Sequence, residues 1–100
     1  MKPSKNTKKR LNWSITSQTN RKEIFDYIED IEFNLVNALL VDSRILATAI
    51  RLQSFPLLGI AYKSGLRLAH IPKTQYTIVY RVTDTSIRIL RVTHQKRKII

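Results

Sequence analysis

Apolar residues along this chain follow two kinds of spacing. From Leu66 onward they fall into short runs of β-branched and aromatic residues. The runs are Leu66-Arg67-Leu68-Ala69-His70-Ile71, Tyr76-Thr77-Ile78-Val79-Tyr80-Arg81-Val82 and Ile87-Arg88-Ile89-Leu90-Arg91-Val92. Such residues fit a pleated, half-buried surface. Pro72 ends the first run, Thr83-Asp84-Thr85 the second and Thr93-His94 the third. Residues 72–75 and 83–86 are short polar connections of hairpin length. The pattern predicts a three-stranded antiparallel meander. Further upstream, Leu11-Asn12-Trp13-Ser14-Ile15 alternates apolar and polar, the period of a half-buried strand. It has no hairpin partner close by, so it must pair with the distant meander.

Between these segments the spacing is helical. Thr16 or Ser17 can cap a helix starting near Gln18, and Ile24, Phe25, Ile28 and Ile31 form its apolar stripe, with Tyr27 near the edge. Glu23 and Asp26 suit the early part of a helix, whose dipole favours negative charge. Asp30, Glu32 and Asn34 mark a break. A second helix is predicted over about 35–54, with Leu35, Leu39, Leu46, Ala49 and Ile50 as its stripe and Leu40, Ile45 and Leu52 widening it. A stripe that wide predicts contact on two sides, with the sheet and with the first helix. Phe55-Pro56-Leu57-Leu58-Gly59 closes the helix, because proline biases Phe55 away from helical angles and glycine permits the next turn. Residues 60–65 read as a loop. The order strand, helix, helix, three strands predicts an α+β fold: an N-terminal strand, an αα-hairpin, then the meander, with the helices on one face of the sheet.

One hundred residues make a single domain, expected over 11–100, behind a mobile basic tail at 1–10 that carries five of the positive charges. No repeat or low-complexity segment appears. No run approaches the ~20 apolar residues of a membrane span, and the basic N-terminus lacks the apolar stretch of a secretory signal. The chain has no cysteine, which removes disulfides and thiol catalysis and suits a cytoplasmic protein. Two histidines are too few for an all-histidine metal site, so no metal or other cofactor is expected.

Charge changes the picture most. The net charge is +11, and five of the seven acids (Glu23, Asp26, Glu29, Asp30, Glu32) lie within ten residues, so the rest of the chain is still more basic. That balance points to a polyanionic partner: nucleic acid, a ribonucleoprotein or an acidic protein.

Enzyme signatures are few. Only Gly59 and Gly65 are glycines, so there is no phosphate-cradling loop, and Asp42 and Asp84 are the only acids outside the first helix. No serine nucleophile motif appears. What remains is cationic: Arg67, Arg81, Arg88, Arg91, His94, Lys96, Arg97 and Lys98. Forked guanidinium donors match two phosphate oxygens at once. The one reaction such a set supports is metal-free RNA cleavage. It needs a base for the ribose 2′-hydroxyl, an acid for the leaving oxygen and cations for the phosphorane charge. Arg67 and Arg91, embedded among apolar neighbours, suit the cationic role, and His94 suits acid or base with its unperturbed pKa of about 6.5. A second acid–base group is missing. The alternative for His94 is a polar strand end, and His70 reads as ordinary strand surface. Trp13 is expected in the core, with base stacking as the sharper alternative.

The chain resembles the RelE/ParE superfamily of type II toxin–antitoxin toxins. The resemblance rests on Trp13-Ser14, Ile24-Phe25-Asp26-Tyr27-Ile28, Phe55-Pro56-Leu57-Leu58-Gly59, Gly65-Leu66-Arg67, the Tyr76–Val82 run and the closing Ile87–His94 run followed by Arg97. It covers 13–97 in family order. It implies the same α+β architecture and a small acidic antitoxin that wraps the toxin into a hetero-oligomer. RelE-like members cut mRNA on the ribosome, whereas ParE-like members inhibit DNA gyrase. Thr77 stands where the ribonucleases commonly carry a basic residue, and the Arg91–Arg97 ending looks like ParE. The resemblance thus implies a gyrase inhibitor, with Arg67, Arg81, Arg88, Arg91 and Arg97 facing the target. A ribosome-dependent endonuclease using Arg67, Arg91 and His94 is the alternative. A plain nucleic-acid-binding domain, the third reading, accounts for the charge but not for the ordered motifs.

Overall fold

The structure is a computed structural model and describes residues 8–96. Its elements are β1 (Arg10–Trp13), α1 (Ile15–Asp26) running into a π-helical turn (Tyr27–Ile31), α2 (Leu35–Ser54), β2 (Ile60–Ala61), a 3-10 turn (Lys63–Gly65), β3 (Arg67–His70), β4 (Tyr76–Val82) and β5 (Ser86–His94). The fold is α+β, as expected, but the sheet holds five strands in the order β1-β5-β4-β3-β2. β1 lies parallel to β5, the long-range pairing that its isolation required, and the other pairs are antiparallel. β2 falls inside the segment expected as a loop. It is a two-residue edge strand opposite Arg67 and Leu68, too short to show as a run.

The first helix starts earlier than its predicted caps. Ser14 is the N-cap: its Oγ accepts from the Ser17 N–H at 3.0 Å and donates to the Leu90 carbonyl at 3.0 Å. Ser17 is buried, with its hydroxyl turned back to the Ser14 carbonyl. Phe33 takes a positive φ of 54° at the break between the helices, and Asn34 caps α2 by accepting from the Asn37 N–H at 3.0 Å.

The stripe expected on α2 is turned by about one residue. Its buried positions are Ala38, Val41, Ile45, Thr48, Ala49 and Leu52. Leu35, Leu39, Leu40 and Ile50 are exposed, Leu39 by 55%. Apolar residues cover most of this helix, so spacing alone did not select a face. Small Ala38 and Ala49, both fully buried, let the helix backbone approach its neighbours closely. The helix meets both the sheet and the first helix, as expected, but through these positions, and its remaining side is open.

The core lies between the helices and one face of the sheet. It joins Ile28 and the buried α2 residues to Ala69, Ile71, Ile78, Tyr80, Ile87, Ile89 and Val92, with Leu11, Trp13, Ile24 and Phe25 packed against it. Burying an isoleucine-sized side chain is worth roughly 1.5–3 kcal/mol. Trp13 belongs to this packing, and Arg21 lies 5.0 Å over its ring. The same guanidinium makes a two-pronged ion pair with Asp42 at 3.1 and 3.0 Å, tying α1 to α2. Trp13 is half-buried, with one face of its ring taken by Arg21. Of the expected basic tail, residues 1–7 lie outside the described residues. Arg10 opens β1, and Lys9 Nζ donates to the Thr83 and Asp84 carbonyls at 2.8 Å each, so the folded part begins before residue 11.

Candidate functional site

The β4–β5 ladder holds the feature that places the cations. Val79 pairs with Arg91, but the next residue, Tyr80, pairs with Ile89, so Leu90 is an extra residue in a β-bulge. In an unbroken strand Arg88 and Arg91, three apart, would point to opposite faces. The bulge resets the alternation. Ile87, Ile89 and Val92 all face the core, while Arg88 and Arg91 both face away from the helices. Beyond Ile89, where β1 ends, α1 completes the partnering of β5. Ser14 serves the Leu90 carbonyl, and Asn20 Oδ1 accepts from the Val92 N–H at 3.0 Å.

Arg81 joins the same open face, directly across the ladder from Arg88. Asn12 flanks Arg88 on β1, and Arg10, two residues earlier, extends the face past Ser86. All four arginines are exposed, and none of their guanidinium groups has a hydrogen bond or ion pair among the described residues. Between them the face carries Thr77, Val79 and Thr93, all buried. Arg10 was hidden in the sequence by its place in the basic tail. Its alternation with Asn12 was the signal that could have found it.

Arg67 is not part of this face. It sits opposite Tyr80 on the side toward the helices. Its Nη2 donates to the Gly59 carbonyl at 2.7 Å and the Leu57 carbonyl at 3.3 Å, while Nε is buried without a partner. The Tyr80 hydroxyl donates to the Pro56 carbonyl at 2.8 Å and accepts from the Gly59 N–H at 2.9 Å. The approach is close enough to require glycine: a Cβ on Gly59 would meet the Leu68 carbonyl oxygen at 2.6 Å. Arg67 and Tyr80 together clamp the segment that closes α2.

His94 lies elsewhere again, opposite Tyr76 at the far end of β4. Its Nε2 shares a hydrogen bond of 2.7 Å with Gln75 Oε1, its Nδ1 accepts from the Lys96 N–H at 3.1 Å, and its ring meets Tyr76 edge-on at 5.5 Å. It lines a cleft of about 320 Å³ with Asn20, Glu23, Tyr27 and Tyr76. Burial, reinforced by Glu32 and then Tyr27, pushes the Tyr76 phenol above its ordinary range, which keeps it protonated. Arg67 and His94 stand opposite β4 residues four apart, roughly 13 Å along the strand. Arg91 is on the other face. The candidate catalytic set is thus spread over three places. His70 is exposed at the end of β3, and Arg97 lies outside the described residues.

Among the described residues no His, Cys, Asp or Glu group could hold a metal, and no helix is long and apolar enough to cross a membrane. A groove of about 230 Å³ runs beside α2, lined by Arg44, Thr48, Arg51, Leu58, His70 and Lys73.

Known proteins with this fold can now be set beside these surfaces. The chain superposes on a structure of the chromosomal ParDE TA system from P. aeruginosa with a TM-score of 0.76 at 20% identity, covering 86% of this chain and 95% of that one. The solution structure of the conserved hypothetical protein HP0894 from Helicobacter pylori gives a TM-score of 0.55 at 21% identity, covering 89% and 97%. At these identities the likeness is one of fold. A search of curated proteins finds no match. The family model for the ParE toxin of the type II toxin–antitoxin system parDE matches residues 11–99. With nearly the whole chain matched, this protein belongs to the ParE toxin family.

Proposed function

We propose that this chain acts by binding: it inhibits DNA gyrase through the open face of its sheet, and a cognate antitoxin neutralises it. The observation that carries this reading is the segregation of its chemistry. Cutting RNA needs an acid, a base and a cation at one phosphate. Here the unpaired guanidinium groups of Arg81, Arg88 and Arg91 share one face, while His94, Glu23 and the two tyrosines line a cleft on the other. Among the described residues, a phosphate entering that cleft would meet the Glu23 carboxylate and no arginine. Arg97, also expected in the target surface, lies outside the described residues. Arg67 leaves it, being spent on the clamp around Gly59.

For the antitoxin, the open side of α2 supplies exposed Leu39, Leu40 and Ile50, and the groove next to it is rimmed by Arg44, Arg51 and Lys73. An amphipathic acidic segment fits both, making a hetero-oligomer.

A supercoiling assay with purified gyrase tests the target. The expected outcome is loss of supercoiling on adding the chain, with no cleavage in primer extension on translated mRNA. Codon-phased cuts with gyrase unaffected would overturn the reading in favour of the endonuclease.

A further inference from the structure

The arginine face points to a ligand of its own. Arg10, Arg81, Arg88 and Arg91 stand on three neighbouring strands, β1, β5 and β4. Strands lie about 4.8 Å apart and alternate residues repeat every ~7 Å, so the four stems emerge from a compact patch. Arg81 and Arg88 are direct cross-strand neighbours, and like charges so placed oppose folding. No carboxylate among the described residues relieves them. A bulge that turns Arg91 onto this same face adds to the repulsion. The arrangement makes no sense for the free chain and fits an anionic lattice laid across the sheet.

The face also says which kind. On the three strands that carry the arginines its non-basic positions are Asn12, Thr77, Val79 and Thr93, none of them aromatic, and the register adds Leu68, His70 and Ile60 on β3 and β2. Trp13, Tyr76 and Tyr80 all sit on the opposite side. Single strands are held by stacking bases on aromatic platforms. The arginine-bearing strands thus offer phosphate-gripping forks and no stacking platform, and the duplex presents phosphates most densely.

We infer that the open sheet face binds the phosphate backbone of double-stranded DNA directly, without reading sequence. The inference rests on the gyrase reading for the source of its DNA, the segment on which the enzyme works.

The test is fluorescence anisotropy of a labelled mixed-sequence duplex titrated with the purified chain, with no gyrase present, from about 50 to 200 mM salt. Four phosphate contacts predict a slope of log affinity against log salt near −3.6. The Arg88→Gln/Arg91→Gln variant is expected to bind at least tenfold more weakly and to flatten the slope by about two. Arg44→Gln/Arg51→Gln, of equal net charge but placed on α2, is expected to leave the slope unchanged. Urea unfolding of both variants separates loss of binding from loss of fold. A duplex that fails to bind at the lowest salt overturns the inference, as does an unchanged slope for Arg88→Gln/Arg91→Gln. Tighter, sequence-dependent binding to single strands overturns it too. If that variant loses gyrase inhibition while the wild type binds no DNA, the face meets an acidic protein surface. The inference then falls and the gyrase reading stands. Duplex binding by the patch with gyrase unaffected removes the gyrase reading instead.

Discussion

Arg81 and Arg88 face each other across the β4–β5 ladder with no acid to separate them. Removing one charge should therefore help the free protein. Arg88→Gln is expected to stabilise the fold by roughly 0.2–0.5 kcal/mol, since both groups are exposed and screened. The gain, read as a urea midpoint, should shrink at high salt. An unchanged or lowered midpoint would mean that the pair does not repel. The opposite sign is expected at Tyr80, whose hydroxyl serves the Gly59 N–H and the Pro56 carbonyl in a buried site. Tyr80→Phe strands both groups and should destabilise by about 1–3 kcal/mol. Gly59→Ala should do at least as much damage, because its Cβ would press on the backbone carbonyl of Leu68. Arg67 shows the limit of reading residues singly. Its apolar neighbours Leu66 and Leu68 marked it as a placed arginine, and it is one. The place is structural, because pairing with Tyr80 turns it toward the helices rather than outward.

At the scale of elements, the bulge at Leu90 decides both faces of β5. Deleting Leu90 would leave Ile89, Arg91 and Val92 in strict alternation on their present sides, while removing the carbonyl that the Ser14 hydroxyl serves. That variant is expected to keep a cooperative unfolding transition in urea, at a lowered midpoint. Loss of the transition would show that the bulge itself holds the register. For α2, the rotated stripe gives a paired test. Leu52, fully buried, should cost about 2–5 kcal/mol on substitution by alanine. Exposed Leu39 should stay within about 0.5 kcal/mol. Equal losses would restore the stripe read from spacing. The existence of α2 was plain in its sequence, but its orientation was not. Most of its positions are apolar and could serve as core, and only contact with the sheet and α1 distinguishes them.

Across the whole molecule, charge is sorted by side. The acids of the first helix gather near the helix hairpin, while the open sheet face holds arginines alone. Binding to a cognate acidic antitoxin should then weaken as salt rises, measured by titration calorimetry, because rim charges are screened. Salt-insensitive binding would place the affinity in the apolar side of α2 instead. The candidate site was half legible in this sense. Arg81, Arg88 and Arg91 were found from their positions within strand-like runs. Arg10 was lost to the tail, and His94 was grouped with arginines from which the folded chain keeps it apart.

What the sequence determined by itself was local in origin. Alternation marked the strands, a period near 3.6 marked the helices, and their segregation along the chain implied an α+β layer fold. The ordered motifs carried the family. Tertiary structure decided the sidedness: which face of α2 is buried, that β1 runs parallel to β5, and that Arg88 and Arg91 emerge together. The reason is physical. Side-chain direction in a strand depends on parity, and one extra residue in β5, opposite Val79 and Tyr80 on the neighbouring strand, reverses it. Spacing within β5 does not show where that residue is inserted, so the arginine face exists only once the strands have paired.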